Sequence, residues 1–303
     1  MNAHLKNPKN ISHILVTVAY NEEDHIEQTI KSVIKQTFLP KKWFIVSDGS
    51  TDHTDKIIQD YSEKFDFIEY ARQEKKGEYK NRLEKVTIAQ SRAMKLALDQ
   101  SRDLEFDFIG NLDADITFGQ DYYKSIIHKM MEDPGLGLAG GGAYNVNPDG
   151  SLAGGGFIKP DFVGGPVQLF RRKCLEDIGG YAPYGHADCV AVASAKMNGW
   201  KVQCFPEIRA FHHGLPGYTV KEKVPDCFKM GQMDYIMGGL FLYQIARCVR
   251  RMFKKPFFIA GLSMLFGYIW AFLKRRNERI PKDLIHYIQS DQKQKLLSIL
   301  LLR

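Results

Sequence analysis

Cysteine is sparse and unpatterned in this chain of 303 residues: Cys174, Cys189, Cys204, Cys227 and Cys248 form no CxxC pair and have no histidines at zinc-ligand spacing. An odd, scattered set excludes a disulfide framework and a zinc ribbon, and fits a reducing compartment. The first ten residues are polar and include Pro8, so they lack the apolar core of a signal peptide. The soluble part of the chain is therefore expected in the cytosol. No GxxxxGK[ST] or GxGxxG follows a strand-like segment, which weakens P-loop and dinucleotide-binding readings. There are no internal repeats. Acidic charge is not in excess: the net charge is +7.

The composition, 44% hydrophobic and 25% charged, is that of an ordinary globular protein, which sets disordered and fibrous classes aside. The basic excess is not spread evenly. Lys229 to Arg303 carries 14 Lys and Arg against 4 Asp and Glu, while the rest of the chain carries 28 against 31. The front part is close to neutral and the tail is strongly basic. This predicts two regions, a folded domain over 1–225 and a basic, apolar, helical tail over 226–303.

Along the front part, short β-branched runs alternate with segments of helical period. His13–Ala19 reads as a buried strand, followed by Glu22–Thr37 with Ile26, Ile30, Val33 and Ile34 on one face. Trp43–Ser47 is a second strand, leading into a helix through Ile57 and Ile58. Phe67–Tyr70 is a third strand, Val86–Leu98 a helix and Phe106–Gly110 a fourth strand. Such alternation predicts an α/β fold of Rossmann-like type, with a mostly parallel sheet covered by helices on both faces. Gly135 to Gly165 is glycine-rich, which suits tight turns and close backbone approach. A helix over Asp188–Met197 and strands over Lys201–Phe205 and Ile208–Phe211 follow.

Ligands of such sheets lie beyond the carboxyl ends of the strands. Three polar clusters stand at those ends here: Tyr20-Asn21-Glu22, Asp48 to Asp52, and Asp113-Ala114-Asp115. The Asp113 and Asp115 carboxylates, two residues apart after a buried strand, can converge on one hard cation that also holds phosphate oxygens. The competing reading is a helix cap and a solvated acid before the helix at Asp121. Asp48 can accept hydrogen bonds from a base or ribose, whereas Asp52 or Thr51 suits the cap of the next helix.

The segments ILVTVAYNEEDHIEQTIKSVIKQTF, WFIVSDGSTDHT and FIGNLDADI together resemble the N-terminal half of a family 2 glycosyltransferase of the bacterial, membrane-associated type. The likeness continues more loosely through Phe170–Tyr181 and His186-Ala187-Asp188 to about His213. The resemblance implies a GT-A fold, a nucleotide-sugar donor (UDP for preference), inversion at the anomeric carbon, and Mg²⁺ or Mn²⁺. Carried over by position, Ala19, Tyr20 and Glu22 line the nucleotide pocket and Asp48 meets the base or ribose. Asp113 faces ribose or metal, and Asp115 binds the metal. Asp188 matches the general base, with Glu176 and Asp177 as the next acids to consider, because the family often shows two adjacent acids and this chain has one. One or both of His212 and His213 fall where relatives place a histidine near metal and diphosphate, and Lys85 is a candidate for the donor phosphates. The implied acceptor is a glycan or a lipid-linked sugar. A nucleotidyltransferase, or an inactive transferase-like scaffold, is the alternative function.

In the tail, the uncharged run Phe257–Leu273 lies between basic clusters and contains Tyr268 and Trp270. As a helix of 17 residues it reaches about 25 Å, short of a hydrocarbon core of about 30 Å. An in-plane or re-entrant helix on an anionic leaflet, at the cytoplasmic face of a membrane, is the preferred reading. A single short span and a helical hairpin packed on the domain or on a second copy of the chain are the alternatives. Nucleic acid is not expected as a partner, since the basic clusters flank apolar runs.

Overall fold

The computed structural model describes residues 11–73, 82–147, 149–155, 158–184, 186–214, 220–253, 256–274 and 280–301. The chain divides into two compact units, one running to Pro216 and one from Gly217 onward, with Tyr184–His186 grouped with the second. The boundary expected at 225/226 therefore falls inside a helix. The N-terminal residues Met1–Asn10, Gly156 and Phe157 of the glycine tract, and the basic residues Lys254, Lys255, Arg275 and Arg276 lie outside the described residues.

The N-terminal unit runs β1 (His13–Ala19), α1 (Ile26–Ile34), β2 (Lys42–Ser47), α2 (Thr54–Ser62), β3 (Ile68–Arg72), α3 (Arg82–Gln100) and β4 (Phe108–Leu112). It continues with β5 (Ile116–Phe118), α4 (Tyr122–Glu132), β6 (Leu136–Val146), β7 (Leu152–Gly155), β8 (Val167–Arg171), α5 (Arg172–Asp177), α6 (Ala187–Met197) and β9 (Lys201–His212). The strands join one sheet in the order β3-β2-β1-β4-β8-β6-β9-β5, with β7 on β6. β3, β2, β1 and β4 are parallel, β8 runs against β4 and β6, and β6 and β9 are again parallel. The order 3-2-1-4 places a topological switch point between β1 and β4, where a crevice opens beyond the strand ends.

Local sequence explains the elements. β1 and β2 are buried on both faces, hence their continuous Ile, Leu, Val and Phe runs. α1 buries Ile26, Thr29, Ile30 and Val33, the face its periodicity predicts. It starts at Ile26 and not at Glu22, because Asn21 is in the left-handed region (φ 54°) and the N–H groups of His25 and Ile26 close a turn on the Glu22 carbonyl. Each fully buried Leu or Ile in this core is worth about 1.5–3 kcal/mol. His13 is buried in it too, between Phe38 and Tyr123, and neither ring nitrogen has a hydrogen-bond partner. Burial pushes its pKa down to about 3, so the ring is a neutral core residue.

Two expectations are corrected. The strands expected over Lys201–Phe205 and Ile208–Phe211 are one strand, β9, whose register slips opposite Gly141 and Gly142, around Pro206, which has no N–H to give the ladder. The first part of the glycine tract is strand β6 and not a turn. A β-carbon added at Gly141 would lie 2.0 Å from the Ile208 carbonyl oxygen, so close strand approach is what requires glycine there.

The C-terminal unit consists of α7 (Val220–Ile236), α8 (Phe241–Met252), α9 (Ile259–Leu273) and α10 (Lys282–Leu301). Cys227, Cys248, Ala260 and Met264 form its small core. Backbones meet directly at glycines: a β-carbon at Gly267 would lie 2.0 Å from the Phe228 carbonyl oxygen, and one at Gly261 would lie 2.5 Å from that of Cys248. Tyr268 donates its hydroxyl hydrogen to the Gly239 carbonyl at 2.7 Å, and Arg247 pairs with Asp234. α9 has 15 residues. Among the described residues no helix is long and apolar enough to cross a membrane.

Candidate functional site

β1 and β2 end side by side, and the loops after them are stitched together. Asn21 donates its N–H to Ser50 Oγ at 3.2 Å and accepts the Thr51 N–H at 2.9 Å. Asp52 accepts the N–H groups of Thr54 and Glu23, so it braces the entry to α2, which agrees with the capping reading of that residue. Glu23 in turn accepts from the His53 N–H at 2.9 Å.

Asp48, buried just past β2, behaves differently. Its N–H donates to the carbonyl of Ala19, the last residue of β1, at 2.8 Å. Its carboxylate is not a turn cap: it takes the Gln73 side-chain amide at 3.3 Å and lies 3.4 Å from Lys85 Nζ. The same ammonium stands 3.2 Å from the centroid of the half-exposed Tyr20 ring. Ala19, Tyr20, Asp48 and Lys85 are thus gathered at one place, with Gln73 as a member that periodicity and motif did not single out.

The second cluster forms between β4 and β9. Only Asp113, Ala114 and Asp115 connect β4 to β5, and antiparallel pairing of β5 with β9 sets Ile116 opposite His212. His212 Nε2 lies 2.9 Å from Asp115 Oδ2, both side chains being largely buried. The chain passes so close that a β-carbon at Gly214 would lie 2.0 Å from the same oxygen. His213 turns the other way, with Nε2 at 2.7 Å from Thr117 Oγ1 and its ring stacked at 6.5 Å on His25. Of the two histidines, His212 is the one beside the carboxylates.

Asp113 is anchored by its N–H to the Pro166 carbonyl at 3.1 Å and approached by Gln90 Nε2 at 3.5 Å. Burial and the Asp115 carboxylate, with a further push from Asp188, raise its pKa to about 7, against the pull of His212. Burial lowers the His212 pKa, but the Asp115 bond and the charges of Asp113 and Glu22 outweigh it, so the ring is held above its ordinary value. Glu22 therefore belongs electrostatically with this cluster. Asp188 sits in the first turn of α6, and its Oδ2 faces the Gly165 N–H at 3.4 Å. The loop carrying Gly165 is held by Asn111, whose amide donates to the Gly165 carbonyl at 2.7 Å. Glu176 and Asp177 are engaged elsewhere, with Arg172 and with Lys173 and Trp200.

Among the described residues no three His, Cys, Asp or Glu side chains are arranged as a ready-made metal cage. The protein offers the Asp115–His212 pair with Asp113 beside it. Mg²⁺ in particular keeps few protein ligands and takes the rest from substrate phosphates and water. A carboxyl raised by burial and by its negative neighbours is also one whose ionised form a cation would stabilise. The donor set fits such an ion.

Residues 14–154 match the sequence profile of glycosyl transferase family 2. Over those residues, just under half of the chain, the sequence is similar to the family 2 glycosyltransferases. The poly-beta-1,6-N-acetyl-D-glucosamine synthase of Staphylococcus aureus is 25% identical over 245 residues, which is 75% of this chain and 51% of the relative. The chain thus spans about half the length of the curated relatives it matches. The solved mannosyltransferase PcManGT from Pyrobaculum calidifontis, in complex with GDP-Man and Mn²⁺, aligns at a TM-score of 0.54 and 16% identity over 89% of this chain and 77% of that one. S. aureus TarS 1–349, in complex with UDP-GlcNAc, aligns at 0.53 and 14% over 88% and 92%. These likenesses show a GT-A fold.

Proposed function

We propose that the chain is an inverting, metal-dependent glycosyltransferase that moves a sugar from a nucleoside-diphosphate donor to an acceptor hydroxyl in cell-surface polysaccharide or glycolipid synthesis. The observation that carries this reading is the convergence of Asp113, Asp115, Asp188 and His212 beyond β4 and β9, beside the Tyr20–Asp48–Lys85 cluster at the ends of β1 and β2.

The base and ribose belong with Tyr20, Asp48 and Gln73. A carboxylate acceptor next to an amide donor can meet a base edge that presents an N–H beside a carbonyl oxygen, uracil among them, and UDP is the carrier favoured here. Lys85 is placed to meet donor phosphate charge. Asp115 and His212, with Asp113, are the residues that would hold a divalent ion, and a bound ion there would offset the charge on the departing diphosphate. The acceptor oxygen attacks the anomeric carbon as the sugar–phosphate bond breaks, and its proton passes to Asp188. The location assigned is the cytoplasmic face of a membrane, supported by the basic excess of residues 229–303.

The test is release of nucleoside diphosphate from a panel of UDP-, GDP- and dTDP-sugars by the full chain, with Mn²⁺, Mg²⁺ or excess chelator. Release from a UDP-sugar, silent in chelator and in Asp115→Asn, is expected. Release of pyrophosphate from a nucleoside triphosphate and a sugar 1-phosphate would favour a nucleotidyltransferase, and inertness toward every donor a scaffold. Undiminished turnover in chelator would remove the metal role.

A further inference from the structure

A helix packed in water turns its large apolar residues inward and its polar ones outward. α8 and α9 do the reverse. On α8, Phe241, Leu242, Ile245, Val249 and the following Phe253 recur at i, i+1, i+4, i+8 and i+12, which is one face, and all are exposed: Leu242 is 67% and Phe253 72% accessible. The side of α8 that faces its neighbours carries Gln244 and Cys248, with Arg247 paired to Asp234. On α9, Ile259, Leu262, Phe266, Trp270 and Leu273 recur at i, i+3, i+7, i+11 and i+14 and are likewise exposed, Phe266 at 63%. Four of the six inward residues of α9 are small, Ala260, Gly261, Gly267 and Ala271, beside Met264 and Tyr268.

Small residues at helix contacts with large apolar ones outside are what helices adopt where the surroundings are as apolar as leucine. The charge pattern points the same way. From Tyr235 to Asn277 the sequence holds eight Lys and Arg and not one Asp or Glu. Arg250 is exposed at the border of the α8 face, and Lys274 lies 5.1 Å from the Trp270 ring at the end of the α9 face. Aromatic rings beside basic heads suit the boundary between acyl chains and anionic headgroups. α9, at about 22 Å, is too short to cross but long enough to lie flat.

We propose that the outward faces of α8 and α9 form a monotopic footing that beds in the plane of an anionic leaflet. This rests on the membrane-surface reading above and adds that the attachment is apolar insertion and not charge alone. A soluble protein rarely leaves so many large apolar side chains bare on two neighbouring helices.

The experiment is flotation of the full chain with vesicles of phosphatidylcholine, with and without phosphatidylglycerol, repeated in molar salt, where the screening length is about 3 Å. Binding to the anionic vesicles that survives molar salt is expected. Leu242→Glu with Val249→Glu should weaken it by at least about tenfold, because charge on an inserted face opposes burial. Leu242→Gln with Val249→Gln should lower it as well. Unchanged melting temperatures in both pairs separate lost insertion from lost fold. Binding that molar salt abolishes and both pairs leave intact would overturn insertion while the electrostatic membrane reading stood. No binding to any vesicle would overturn both. A concentration-dependent dimer that the substitutions dissociate, without vesicle binding, would assign the face to a second copy of the chain and end the proposal.

Discussion

In the N-terminal unit Leu15, Ile30 and Trp43 are shut away from solvent and the carboxylates gather at strand ends, whereas in the C-terminal unit Leu242, Phe266 and Leu273 point outward and glycine and alanine stand at close helix contacts around a small core. The same residue types have opposite addresses. In the sheet, apolar burial drives folding and leaves the strand ends free to concentrate charge. In the helices, backbones meet at Gly261 and Gly267 and large apolar side chains stay exposed. On the reading proposed above, chemistry and attachment are separated along the sequence.

The largest expected effect lies in the charge cluster. Asp188→Asn should lower kcat by about 10²–10⁴-fold while donor affinity stays near wild type, since it removes proton acceptance and not donor contact. Asp113→Asn should weaken donor binding as well as rate. Titration calorimetry in which Asp188→Asn loses donor affinity as badly as Asp113→Asn would sink the assignment.

The acid limb of stability probes the sheet core. His13 stays neutral in the fold down to about pH 3, whereas in the unfolded chain its pKa is about 6.5. Between those values the unfolded state binds the extra proton, so stability falls as pH falls. The loss should be on the order of 3 kcal/mol between pH 7 and pH 4, and His13→Leu should remove most of it. Urea midpoints at the two pH values measure this, and equal slopes for wild type and variant would contradict it.

Gly267→Ala inserts a methyl against the Phe228 carbonyl and should cost about 1–3 kcal/mol in the helical unit, read as lost helicity at lower denaturant. The smallest effect sharpens the contrast most. Leu242→Ala should change folding stability by less than about 0.5 kcal/mol, while the same truncation at buried Leu15 should cost about 2–5 kcal/mol. A large cost at Leu242 would mean that its face packs within the protein after all.

Much of the sheet is legible in the chain because Tyr20, Asp48 and Asp113 each close an apolar run, and strand ends are where polar residues collect. The pairing of Asp115 with His212, 97 residues apart, is not, since it depends on the antiparallel register of β5 on β9. That register also separates His212 from His213, which sequence treats alike. Gln73 and Gln90 carry no motif, and Lys85 and Gln90, five residues apart on α3, do not have the spacing of one helix face. The inversion of α8 is invisible for a different reason: its period is the same whether the face looks in or out.

Asn21 carries one more consequence. Its left-handed backbone and its bonds to Ser50 and Thr51 tie the loops after β1 and β2 into one wall. In the proposed function a donor would lodge there and meet a wall already ordered, so that freezing the wall would not subtract from affinity. Selectivity between donors then falls to the few side chains the wall presents, Tyr20 and Asp48 foremost, because a wall that cannot yield cannot mould itself to the wrong nucleotide.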